Sequence, residues 1–97
     1  MDYDKDIKIG YFVASVVLST NPCWLFSLVV MSQQTTAKVL TVRNGDNTSA
    51  PIILKVYASL YDNPVIVFNQ PIYFNKGLYL EFGTNIAAVT VQYKPEY

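Results

Sequence analysis

Turn-forming residues punctuate this chain roughly every 8–12 residues, and no segment between them has helical periodicity. What lies between the turns is short, apolar and rich in β-branched and aromatic residues, which favour strands. The carboxy-terminal third shows this most fully. Pro71-Ile72-Tyr73-Phe74 runs into an Asn75-Lys76-Gly77 corner, and Leu78–Phe82 and Ile86–Tyr93 follow as two strands joined by Gly83-Thr84-Asn85. In the last strand, alternation places Ala87, Val89, Val91 and Tyr93 on one face and Ala88, Thr90 and Gln92 on the other.

The rest of the chain follows the same grammar. Apolar runs at Ile7–Leu18, Trp24–Met31, Ala37–Arg43, Ile52–Leu60, Val65–Phe68 and Ile72–Phe74 are separated by Ser19-Thr20-Asn21-Pro22, Asn44–Ser49, Tyr61-Asp62-Asn63-Pro64 and Asn69-Gln70-Pro71. The first two runs read as a hairpin across Asn21-Pro22. Tyr11–Leu18 is apolar on both faces, so it is either central and covered or part of an interface. The expectation is an all-β chain: one small antiparallel β-sandwich or barrel, jelly-roll-like, of about eight strands over 7–97. A flexible arm, 1–6, precedes it.

Composition adds a second constraint. Of 97 residues 52% are hydrophobic, and only 14% are charged, against about 25% in an ordinary domain. A chain this short buries only about 60–65% of its unfolded surface, so its apolar content exceeds what its own core can use. The surplus points to contact with other chains. Seven basic residues balance seven acidic ones, which argues against nucleic acid as a partner, since such binding needs excess positive charge. Cys23 is the only cysteine, so no intramolecular disulfide forms and a reducing compartment is implied.

Residues 9–31 invite a membrane reading. Ser15, Ser19, Thr20, Asn21 and Pro22 divide them into two pieces, each short of the about 20 apolar residues a spanning helix needs. The start is acidic where a secretory leader is basic. No membrane partner is therefore expected.

Catalytic equipment is sparse. There is no His, which removes the commonest general base and metal ligand. A lone Cys makes neither a Cys–His pair nor a structural zinc site, and no phosphate-cradling glycine motif occurs. Glu81 with Asp62 is the one carboxylate pair to consider for glycoside chemistry, but Glu81 fits better on the solvent face of its strand. Asp2, Asp4 and Asp6 alternate and carry oxygen ligands of the kind Ca²⁺ takes; an arm that is solvated or docks on a partner suits them better. Asp46–Ser49 is explained by turn formation. The reading is a non-enzyme with no metal and no cofactor. The eight Tyr suit strands and subunit contacts better than a sugar platform.

The order of several motifs carries a resemblance. Val16–Val30, Leu40–Ala50, Ile72–Leu80 and Ala88–Tyr93 resemble, in sequence and spacing over 12–93, pieces of small β-rich structural proteins of tailed bacteriophages. Cys23 stands where those proteins usually have Gly, so that turn departs from their pattern. The resemblance implies a non-enzymatic virion component: a capsid decoration or cement protein, or a head or tail accessory. The leading expectation is a protein that associates with itself as a homotrimer, binds the major capsid protein on the capsid surface, and is assembled in the host cytoplasm. Tyr11, Phe12, Trp24 and Phe26 are its candidate contact residues, with Asp2, Asp4 and Asp6 as a clamp. The alternative is a fibre or tail module recognising a host-surface glycan through Tyr61 and Tyr73.

Overall fold

The computed structural model describes residues 7–96. They form eight strands: β1 (Lys8–Phe12), β2 (Val16–Ser19), β3 (Cys23–Ser32), β4 (Lys38–Arg43), β5 (Ile52–Ala58), β6 (Val65–Phe74), β7 (Leu78–Phe82) and β8 (Ile86–Pro95). Two four-stranded sheets result, one ordered β1-β8-β3-β6 and the other β2-β7-β4-β5. Every pairing is antiparallel. This is the jelly-roll order within a sandwich, and neither sheet closes into a barrel.

The topology follows from one folded-over ribbon. β4 pairs β5, β3 pairs β6, β2 pairs β7 and β1 pairs β8. The chain thus doubles back at the 44–51 loop and runs antiparallel to itself. Rolling that ribbon brings β8 beside β3 and β7 beside β4. The hairpin expected across Asn21-Pro22 is consequently a crossover. The Asn21-Pro22 turn carries the chain from one sheet to the other, and so does Gly83-Thr84-Asn85. The single run Ile7–Leu18 divides into two edge strands at Val13-Ala14-Ser15, where the Ser15 hydroxyl accepts the Phe82 N–H at 2.9 Å. Val65–Phe68 and Ile72–Phe74 join as β6, with the register to β3 shifting between them.

The inner faces meet in a core of Leu25, Leu28, Val30, Phe74, Val89 and Val91 from the first sheet and Leu40, Val42, Val56, Leu78 and Leu80 from the second. Alternation changes phase in the middle of β3: Cys23 and Leu25 are buried, then Leu28 and Val30. Phe26 is the extra residue where register to β8 shifts between Leu25 and Ser27. A bulge of this kind adds one residue and re-aims those beyond it. Ala87 is the corresponding extra residue on β8, so alternation of that strand holds from Val89 onward and Ile86 returns to the core.

The fold-over loop is pinned to the β6–β7 corner. The Asn44 side chain accepts the Lys76 N–H at 2.9 Å and donates to Asn75 Oδ1 at 2.8 Å, and the Gly45 N–H donates to the Gly77 carbonyl at 3.1 Å. Gly77 has φ of 125°, and a Cβ there would stand 2.6 Å from the Ser19 carbonyl oxygen. Asn85 has φ of 66°, a left-handed conformation that Asn tolerates and Gly prefers. Urea unfolding is expected to separate the two positions. Gly77→Ala should lose more than about 1 kcal/mol, because both conformation and space are wrong, and Asn85→Gly should stay within about 0.5 kcal/mol of the parent. Equal losses would contradict this account of the corner.

Candidate functional site

Register defines the outer face of the first sheet. One row across it is Ile9, Gln92, Ser27 and Val67; the next is Tyr11, Thr90, Val29 and Val65. The strands of this sheet contain only two charged residues, Lys8 and Lys94. Both lie at one end, beside the row in which Lys94, Trp24 and Tyr73 are neighbours. The two central rows carry no charge. Their polar members are partly satisfied within the sheet: the Ser27 hydroxyl donates to Gln92 Oε1 at 2.8 Å. Their apolar members at the two edges are open to water, with Ile9 71%, Tyr11 64%, Val65 66% and Val67 73% exposed.

The second sheet has a different outer face. There Arg43 neighbours Tyr79, and Thr41 neighbours both Glu81 and Lys55. Arg43 Nε donates to Glu81 Oε1 at 2.7 Å, and its Nη1 donates to the Ala50 carbonyl at 2.7 Å. One face of the sandwich is thus laced with charge, and the other is uncharged over its two central rows, with Lys94 at one end. Depletion of charge with exposed aliphatic and aromatic side chains is the composition of an interface core, not of an ordinary solvated surface.

The expected contact residues fall unevenly on this surface. Tyr11 lies on it, exposed at the β1 edge. Phe12 points the other way and packs against the core, its ring over Gly10, where a Cβ would stand 2.4 Å from Phe12 Cε2. Trp24 is half-buried at the lysine end, with its ring 4.5 Å from that of Tyr73 and tilted by 43°. Phe26, also half-buried, is the bulge residue of β3. Asp2, Asp4 and Asp6 lie outside the described residues. Ile9, Val65 and Val67 were not among the expected contacts. The signal for them is the alignment of their rows, which the sequence does not reveal until the pairing is known.

Glu81 is engaged by Arg43, and Asp62 sits in the β5–β6 turn, where the Ser59 N–H donates to its carbonyl at 2.9 Å. Among the described residues no group of three or more His, Cys, Asp or Glu is placed to hold a metal ion. Also among them, no helix is long and apolar enough to cross a membrane. Tyr61 precedes the first residue of β6 and Tyr73 lies near its last, so the length of a ten-residue strand separates them and they form no common platform.

Cys23 is fully buried at the start of β3, its thiol 3.7 Å from the Trp24 carbonyl oxygen. Burial raises its pKa from 9.0 to about 11, against the smaller opposing effect of backbone hydrogen bonds from Lys94 and Trp24. Such a thiol is a packing group and a poor nucleophile. Comparison with known proteins finds no matching family model, no similar curated protein and no similar solved structure. The phage likeness therefore rests on the motifs alone.

Alkaline titration tests the placement of Cys23. Between its ordinary pKa and about 11 the unfolded chain releases a proton that the folded chain keeps, so stability falls as pH rises through that window. Tyr93, raised by burial and then by the nearby Cys23 charge, acts in the same direction. Urea midpoints should decline between pH 9 and pH 11, and the decline should be shallower in Cys23→Ala; an unchanged slope would contradict the burial. The native thiol should also resist a thiol reagent at pH 8 and react once urea unfolds the chain.

Proposed function

We propose that this chain is a non-enzymatic virion structural protein, a capsid decoration or cement protein that associates with itself and binds the major capsid protein. The observation that carries the reading is the neutral outer face of the first sheet, with its exposed rows from Ile9 to Val67 and from Tyr11 to Val65. A two-sheet jelly roll is an architecture that capsid proteins use; that analogy supports the proposal without carrying it. The motif likeness to phage structural proteins supports it independently.

The mechanism is adhesion through several weak contacts. Each protomer offers one neutral face, and an oligomer offers several at fixed spacing. Once the first has bound, the others act at high effective concentration, which multiplies affinity without a new kind of contact. Oligomer number depends on which surfaces meet: a two-fold pair uses one patch twice, whereas the three-fold ring expected from the sequence needs two different patches.

Co-sedimentation with capsids lacking this protein is the direct test. Val29→Lys places a charge at the centre of the neutral face. It should weaken capsid binding at least tenfold, about 1.4 kcal/mol, with an unchanged far-ultraviolet circular dichroism spectrum. Lys55→Glu on the opposite face should leave binding within threefold. A chain that stays monomeric and ignores capsids would overturn the proposal.

A second reading has one observation in its favour. Trp24 and Tyr73 stand side by side at the lysine end, and the Tyr73 hydroxyl donates to Glu96 Oε2 at 3.0 Å. Aromatic rings beside a carboxylate are groups that recognise sugars. Saturable binding on a glycan array, abolished by Tyr73→Ala and indifferent to Val29→Lys, would favour a glycan-recognition module in a tail or head fibre.

A further inference from the structure

We propose that β6 pairs with β6 of a second copy of this chain, antiparallel about a two-fold axis at Ile66, fusing two first sheets into one continuous sheet. This rests on the reading that the chain associates with itself, and it names the surface that does so. Four strands are sheet edges: β1 and β6 in the first sheet, β2 and β5 in the second. An exposed edge is a template for pairing unless something blocks it, such as short length, a bulge, a charge or Pro.

The other three edges are poorer templates. β2 has four residues and a register shift between Val17 and Ser19. β5 runs Ile52–Ala58 with Lys55 at its midpoint. Two-fold pairing about that midpoint sets Lys55 against Lys55, and like charges directly opposite destabilise a strand pair. β1 contains Gly10, which weakens a strand, and begins at Lys8, where five of the seven residues Asp2–Lys8 are charged.

β6 is open over its first half. No residue from Asn63 to Asn75 is charged. Pro71 and the register shift disturb only the part of β6 beyond Val67. Val65-Ile66-Val67-Phe68 is an uncharged run of strong strand formers with two of its side chains among the most exposed apolar groups of the molecule.

Backbone direction agrees. The Val30 N–H donates to the Pro64 carbonyl at 3.1 Å. In an antiparallel pair the residues that bond a given neighbour alternate, and the register continues as Val29 with Val65 and Leu28 with Ile66. Pro64 and Ile66 therefore direct their backbone groups at β3, and Val65 and Val67 direct theirs at the open edge. Placing the axis at Ile66 sets Val65 against Val67 of the second copy on both sides. Each such pair exchanges two N–H···O bonds, and the valine side chains meet on the outer face. Ile66 meets its counterpart as a non-hydrogen-bonded pair, with Cα atoms about 4.5 Å apart. The pairing also joins the two neutral faces side by side, doubling the surface offered to a capsid.

An interface of one strand pair and its flanking side chains lies below the about 800 Å² per partner of stable complexes. The dimer is therefore expected to be weak and reversible. Sedimentation velocity from 1 to 100 μM should show a monomer–dimer equilibrium. Val67→Lys should weaken it at least tenfold, and Tyr57→Lys, on the β5 edge, should leave it within threefold. Cysteine pairing then reads the register. Val65→Cys mixed with Val67→Cys should cross-link under mild oxidation, whereas each variant alone should not; both positions are solvent-exposed, so folding survives the change, and the native thiol is buried. A three-chain mass, association unmoved by Val67→Lys, or cross-linking of Val65→Cys with itself would overturn the β6 pairing and leave the adhesion reading standing. A monomer at 100 μM that still binds capsids would overturn both the β6 pairing and the self-association it rests on, and leave capsid binding alone standing. A monomer that binds no capsid would overturn all three.

Discussion

The seam between β3 and β8 holds the roll closed. It joins the end of the chain to a strand near its start, and it places Leu28 opposite Val91 and Val30 opposite Val89 in the centre of the core. Without it the first sheet splits into a β1–β8 pair and a β3–β6 pair, and only the β4–β7 pairing is left to hold the roll. The seam depends on its two bulges. Phe26 and Ala87 each insert one residue, and together they keep both ends of two ten-residue strands aimed inward as the sheet twists. Because pairing in this topology is largely non-local, folding is expected to be slow among small domains.

The same geometry sets the chemistry of the surface. Rolling the ribbon leaves the middle of the first sheet free of charge and confines Lys8 and Lys94 to one end of it. Arg43, Lys55 and Glu81 fall in the second sheet, whereas β3 and β6 of the first have none. Side by side in the seam, Thr90 and Val29 lie on the outside, so the face that forms over the closed core is also the neutral one. A protein that meets only water has no physical reason to keep a face like this, since it invites uncontrolled association. A protein that works pressed against other subunits does.

Much of the strand content is legible in the sequence because turn chemistry and β-branched runs are local signals. Pairing is not. Asn21-Pro22 and Gly83-Thr84-Asn85 announce that the chain turns, but not whether the next strand lies beside the last or crosses to the other sheet. Val13-Ala14-Ser15 contains no Gly or Pro, so the break between β1 and β2 is invisible until the Ser15 hydroxyl meets the Phe82 N–H. The exposed apolar surface is legible in kind and less so in detail. Apolar excess correctly points to exposed apolar groups, yet aromatic size favours Phe12, Trp24 and Phe26, which are half-buried. The most open positions include the smaller Ile9, Val65 and Val67. Side-chain size is a property of a residue, and exposure is a property of its register.

The central claim is that other protein covers the neutral face in the working assembly. A density map of the intact particle with this chain located in it tests that most directly. The account predicts protein density packed over the rows from Ile9 to Val67 and from Tyr11 to Val65, with the Arg43–Glu81 pair turned to solvent. The reverse orientation, with those rows bare and the charged face buried, would contradict it.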